Sequence, residues 1–290
     1  MGLLYEKLID AAMRRYGVPQ WIKPYIYKYA KNSNVATIKQ AIGFINVRRR
    51  KGELTKKHVI LPNGTKFDID AVLHMLNQFY YGISSTGEIA RKWSADASTT
   101  LIPELASQFR EIASARQKHA KALRNMIEGL GGKICAPTAQ IKKVFDRVDL
   151  IEEPIKRALA LEIIIRDAYS RPFGFIFYKV FYPVSPEFMR SLGKVFSIKS
   201  SNDVWIERFI SERLRRGEIT AEEIMDLSTD LLQLIYISIE SEIYLAKRAG
   251  IEPEAQLLRD ISIAYPLHTI QGMGVGIDIN EEVKKIVNKK

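Results

Sequence analysis

The chain contains a single cysteine, Cys135, which excludes an internal disulfide and any zinc site built from several thiolates. Histidine is nearly as scarce. His58, His74, His119 and His268 stand far apart with no HxxxH or HExxH spacing, so no helical zinc-hydrolase signature is present and His58, His74 and His268 are given no role. Long hydrophobic runs are also missing. The most apolar stretch, PFGFIFYKVFYPV at 172–184, carries Lys179 and two prolines and falls well short of the ~20 residues a spanning helix needs. It reads as buried aromatic core. The opening segment MGLLYEKLIDAAMRRYG is charged throughout and lacks the apolar centre of a signal peptide, so a cytoplasmic protein is expected. There is no internal repeat, and GMGVGI at 272–277 ends on Ile277 with no lysine behind it, which fits a flexible turn rather than a phosphate loop.

Basic residues are in excess: 44 lysines and arginines oppose 33 acidic residues, a formal charge of +11. Such a balance favours nucleic acid, an anionic membrane or an acidic protein as partner. One candidate contact is the run Arg48, Arg49, Arg50 and Lys51, which follows a segment that interleaves Tyr25, Tyr27 and Tyr29 with lysines. Arg213, Arg215 and Arg216 form a second basic patch. The preferred reading of both is an ordinary solvated face of a basic, thermophile-like protein.

The pattern along the chain divides it in three. Residues 1–70 read as an extension of small helices with one hairpin, because Asn63-Gly64 separates two apolar-rich runs. Residues 71–250 then carry four long helical patterns, over about 69–97, 99–130, 151–170 and 223–250. The first of these is interrupted by Gly82 and Gly87, the second has Pro103 in its first turn, and the fourth ends on Gly250. An insertion at about 172–220, with a further helix over 202–215, separates the third from the fourth. Residues 251–290 are left as a C-terminal tail. Four long helices, the first two joined by a short link, predict a mainly all-α chain built on a four-helix bundle.

The second helical pattern contains RQKHAKALRNMIEGLGG at 116–132, and the third contains IEEPIKRALALEIIIRDA. His119-Ala120 with Leu123, the Gly131-Gly132 stop, and Glu162 closing an ALALE string together resemble the ferritin-like superfamily, above all its bacterioferritin and rubrerythrin branches. The resemblance spans residues 71–250. It implies a ferritin-like four-helix bundle with a di-metal centre, in which one carboxylate comes from each of two helices and a Glu-x-x-His pair from each of the others. Matched position by position, this chain keeps His119 and Glu162 but has Arg116 where the glutamate of the second helix should stand. The first helix has Ile83 at its ligand position. The fourth has Ile239 and Glu242 in place of the pair. Glu88 lies about 140° round the helix from Ile83 and could serve only if the helix breaks at a glycine.

Two readings follow. In the preferred one, Arg116 replaces the cation and forms a charge-assisted contact with Glu162 or Glu242. The protein is then a divergent, non-catalytic interaction or assembly module with a basic surface, and a homo-oligomer is one form it could take. In the alternative, Arg116 turns outward. His119, Glu162, Glu242 and Glu88 then hold a single iron or manganese ion in a metal-dependent oxidoreductase of the ferritin-like class. Catalysis by Cys135 has no histidine in evident support.

Overall fold

A computed structural model describes residues 58–60, 66–129, 131–170, 172, 201–249 and 252–288. The first helical segments, the basic run 48–51 and most of the aromatic stretch 172–184 lie outside the described residues. The described chain is mainly helical, with one two-stranded hairpin. Strand β1 (His58–Ile60) pairs antiparallel with β2 (Lys66–Asp68), His58 opposite Asp68 and Ile60 opposite Lys66.

The hairpin leads directly into α1 (Ile69–Ser94). Leu76, Phe79, Ile83, Thr86, Ala90 and Trp93 are buried along it, a spacing of three and four that keeps one stripe of the helix inward. A short α2 (Ala97–Thr100), capped by Asp96, turns the chain into α3 (Pro103–Gly129), whose first residue is the expected Pro103. The two long helices run antiparallel, since Tyr80 meets Arg124, Gly87 meets Arg116 and Leu73 meets Gly132. Their inward residues alternate in the same way on α3, through Leu105, Phe109, Ile112, Leu123 and Ile127. The Gly131-Gly132 stop is a left-handed helix terminus. The N–H of Gly132 donates to the Ile127 carbonyl and that of Gly131 to Glu128, with Gly131 at φ 76°.

Gly82 and Gly87 do not break α1. Both face neighbouring elements: a Cβ at Gly87 would stand 3.1 Å from the Arg116 Cβ, and one at Gly82 would stand 3.4 Å from the Phe145 ring. They are packing glycines, which the sequence pattern cannot distinguish from breaks.

After α3, residues 133–138 run along α1 and are held by two buried amides. Asn77 accepts from the Cys135 N–H at 2.9 Å and donates to the Lys133 carbonyl, and Gln78 accepts from the Thr138 N–H at 2.6 Å. Thr138 then caps α4 (Ala139–Asp149), a helix absent from the sequence expectation. Next, Glu153 and Pro154 open α5 (Pro154–Leu159). This passes without interruption into π1, a π-helical segment over Ala160–Ser170. Residues 160–169 are all buried, so π1 is packed on every side.

The second half comprises α6 (Ser201–Arg215), α7 (Ala221–Ala249), α8 (Glu252–Gly272) and α9 (Ile279–Asn288). Thr220 and Glu223 cap α7 reciprocally through each other's backbone N–H groups. Within the expected C-terminal tail at 251–290, the described residues 252–288 therefore carry two helices. In α8 alone Leu258, Ile261, Ile263, Leu267 and Ile270 are buried, and it packs on both α7 and π1. Lys156 meets Glu223 and Tyr169 meets Ser238, so α5–π1 and α7 run in the same direction. The Arg259–Glu240 contact near their short link sets α8 antiparallel to α7.

One buried arginine ties the end of α1 to the start of this layer. Arg157 donates to the Ile151 carbonyl at 2.8 Å and to the Thr99 hydroxyl at 2.9 Å, pairs with Asp96 at 2.8 Å, and lies over the Trp93 ring. Its guanidinium, followed by the Ser98 hydroxyl, holds the Asp96 carboxyl well below the usual carboxylate range. Arg157→Ala removes every one of these contacts and leaves Thr99 and the Ile151 carbonyl unanswered in the interior. A loss of about 2–4 kcal/mol in unfolding free energy is expected, read from urea denaturation followed by circular dichroism. An unchanged midpoint would show that the clamp is dispensable.

Candidate functional site

The sequence candidates fall into two groups in space. Glu162 on π1 and Glu242 on α7 are both in the interior, 3% and 1% exposed. His119 is half-buried on α3. Glu88 is exposed on the outward side of α1, where it shares a groove with Arg91, Gln117, Lys121 and Arg124. Because α1 is unbroken, Glu88 stays on the face away from Ile83, which is buried. Ile239 is fully buried as well. Glu240, one position along, pairs with Arg259 at 2.7 Å instead of turning inward.

These residues do not assemble a metal-ligand set: among the described residues no three or more His, Cys, Asp or Glu side chains are grouped to hold an ion. His119, Glu162, Glu242 and Glu88 therefore do not form the single-ion site expected of them, chiefly because Glu88 faces out and apolar side chains fill two of the ligand positions. The partnership expected of Arg116 is not formed either. Arg116 occupies a seam position of α3 one turn after Ile112, and no hydrogen bond or ion pair joins it to Glu162 or Glu242. The close approach of α1 at Gly87 fixes its backbone, and its side chain lines a small cavity between α1, α3, α4 and π1.

Glu242 is the exceptional group. Among the described residues, neither of its carboxyl oxygens has a hydrogen-bond partner. Burial alone pushes its pKa up from 4.5 to about 8, so the carboxyl is protonated at neutral pH. On the facing side of π1, the Tyr169 hydroxyl shares a short hydrogen bond with the Ser238 hydroxyl. Burial first, and the nearby Glu242 carboxyl as a smaller contribution, push the phenol above its usual range. It remains a neutral hydroxyl. Two neutral acids therefore lie close together between π1 and α7, and neither supplies a counter-charge for Arg116.

A buried polar chain of the same layer has no counterpart in the sequence expectations. Arg166 donates to Asp167 at 2.8 Å and to Glu207 of α6 at 3.1 Å, and Asp167 accepts from Thr269 of α8 at 2.6 Å. The signal available was an Arg-Asp pair directly after the apolar run Ile163, Ile164, Ile165, which places both charges in the interior. Of the residues given no role, the His74 ring meets the Gln78 amide at 3.0 Å, and burial lowers the His268 pKa. The Cys135 residue is exposed. Arg213 pairs with Glu218 and lies over the Phe209 ring, which accounts for part of the second basic patch locally.

No protein-family model matches the chain, and comparison with curated proteins found no match. No described helix is long and apolar enough to cross a membrane.

The raised Glu242 pKa has a measurable sign. Its folded value, about 8, lies above the unfolded 4.5, so its contribution to stability is fully present below the unfolded value and is lost as pH rises through the folded one. Glu242→Gln keeps the shape without the titration. The variant should match the wild type at about pH 4 and exceed it by a few kcal/mol at about pH 9, because each tenfold change in proton affinity is worth roughly 1.4 kcal/mol. Parallel pH–stability curves for the two proteins would contradict the assignment.

Proposed function

We propose that this chain is a divergent relative of the ferritin-like superfamily, one that keeps the helical bundle and no longer maintains the di-metal centre, and that acts as a non-catalytic interaction or assembly module. The observation that carries this reading is the chemistry at the ligand positions. Ile83 and Ile239 are buried apolar side chains, and Arg116 is a cation where a carboxylate would be needed. A guanidinium has no lone pair to offer a metal and repels it. The residues present do not fit a di-metal group, and no catalytic step is derived through one.

An interaction role rests on the surface. The net charge of +11 is expressed on the outer α1–α3 groove through Arg91, Lys121 and Arg124, opposed there by Glu88. Arg124 is held in place by the Tyr80 hydroxyl at 2.7 Å. Such a face favours an acidic protein surface or a phosphate backbone.

One observation favours a second reading. The two interior carboxyls Glu162 and Glu242 are the kind of groups a single iron or manganese ion would recruit, and Glu242 has both oxygens unclaimed among the described residues. The chain would then be a metal-dependent oxidoreductase of the ferritin-like class.

Elemental analysis of the purified full-length protein separates the two. The first reading expects iron and manganese well below one equivalent, with no change in Glu162→Ala. Stoichiometric metal that disappears in Glu162→Ala would establish the second. For a nucleic-acid partner, binding should weaken steeply with salt and fall about tenfold or more when Arg48, Arg49 and Arg50 are replaced together by alanine.

A further inference from the structure

The cavity that Arg116 lines is used by neither functional reading. It has a volume of ≈ 30 Å³, more than a single water requires and enough for a few non-hydrogen atoms. Its walls are mostly apolar: Phe79 and Ile83 from α1, Ile141 and Phe145 from α4, and Ile165 from π1. The polar groups that reach it are nearly all committed elsewhere. The Gln78 amide is engaged at both ends, by the Thr138 N–H at 2.6 Å and the His74 ring at 3.0 Å. The Thr86 hydroxyl donates to the Gly82 carbonyl at 2.8 Å, and the Tyr169 hydroxyl is shared with Ser238.

Arg116 and Ser170, which also lines the cavity, are the exceptions. Among the described residues no hydrogen bond or ion pair involves Arg116, although it is half-buried. An uncommitted guanidinium, with one hydroxyl free among the described residues, on a mostly apolar cavity is the arrangement that selects a small organic anion: a charged fork at one end and a greasy wall at the other.

We infer that this cavity binds a short aliphatic carboxylate, its two oxygens on the Arg116 guanidinium and its alkyl end against Ile83, Phe145 and Ile165. The carboxylate class follows from the donor count. Phosphate or sulfate would need several further donors, and beyond the Ser170 hydroxyl those of Gln78, Thr86 and Tyr169 are already committed to protein partners. Chloride would leave the apolar end unfilled. Such binding is independent of whether the chain holds metal or a macromolecule.

The test is calorimetric titration of the full-length protein with acetate, propionate and butyrate at ionic strength fixed with sodium chloride, with butyramide as the neutral isostere. Saturable binding is expected for at least one carboxylate and not for butyramide. Arg116→Gln should weaken it by about tenfold or more, as loss of a charge-assisted pair does. Ile165→Phe, which fills the cavity and leaves the charge, should weaken it as well. If Arg116→Gln does not fold, Arg116→Lys keeps the charge without the fork and should weaken binding in its place. Absence of saturable binding by any of the three carboxylates, equal binding of butyramide, affinity unchanged in Arg116→Gln or in Ile165→Phe, or full displacement by equimolar chloride would each overturn the assignment.

Discussion

Burial of π1 on every side is the constraint around which the other elements are arranged. A charged or hydroxyl group in such a segment must be answered from a neighbouring element, because burial takes it out of bulk water. Arg157 at the entrance is answered by Asp96 and Thr99, which draws in the α1–α2 corner. Arg166 and Asp167 are answered by Glu207 and Thr269, which tie α6 and α8 to the same segment, and Tyr169 is answered by Ser238 of α7. Each of these pairings joins a different element to the continuous α5–π1 segment, so the polar groups specify which elements meet there while the apolar ones supply the bulk of the burial. Glu242 has no such answer among the described residues and stays neutral instead, the other way a buried acid can persist.

Much of this arrangement was written in local pattern. The Asn63-Gly64 spacing called for an antiparallel hairpin, and its strands pair as expected. The inward stripes of α1 and α3, the extra helix at 202–215 and the stop at Gly131-Gly132 are all short-range features: a periodicity, a cap, a glycine needing positive φ. What was missed depends on other elements. The amphipathic run after Thr138 is short, and α4 owes its place to Asn77 and Gln78 of a distant helix holding the linker that leads into it. The α8 segment contains Pro266 and is apolar on more than one side, so it shows little helical periodicity, yet it belongs at the centre. The π-helical path of Ala160–Ser170 leaves no mark in the residue types.

The candidate site was less legible than the fold for the same reason. Sequence placed His119, Arg116, Glu162 and Glu242 on helices that would face one another, and the buried environment of the two glutamates follows from that. It could not say whether Arg116 would find a carboxylate. Glu242 is so thoroughly shielded that it surrenders its charge, and Arg116 sits beside a mostly apolar hollow with no ion-pair partner among the described residues. The Arg166–Asp167–Thr269 chain satisfies its own charges within the layer.

The shared direction of π1 and α7 has a consequence for how the chain reaches this state. Helices joined by a short link, such as α1 with α3 and α7 with α8, can zip together from local contacts. Two neighbours pointing the same way need a long return crossing, and their contacts close a large loop, which is entropically late. The contacts of π1 with α7 therefore close a longer stretch of chain than the Arg259–Glu240 contact that joins α7 to α8.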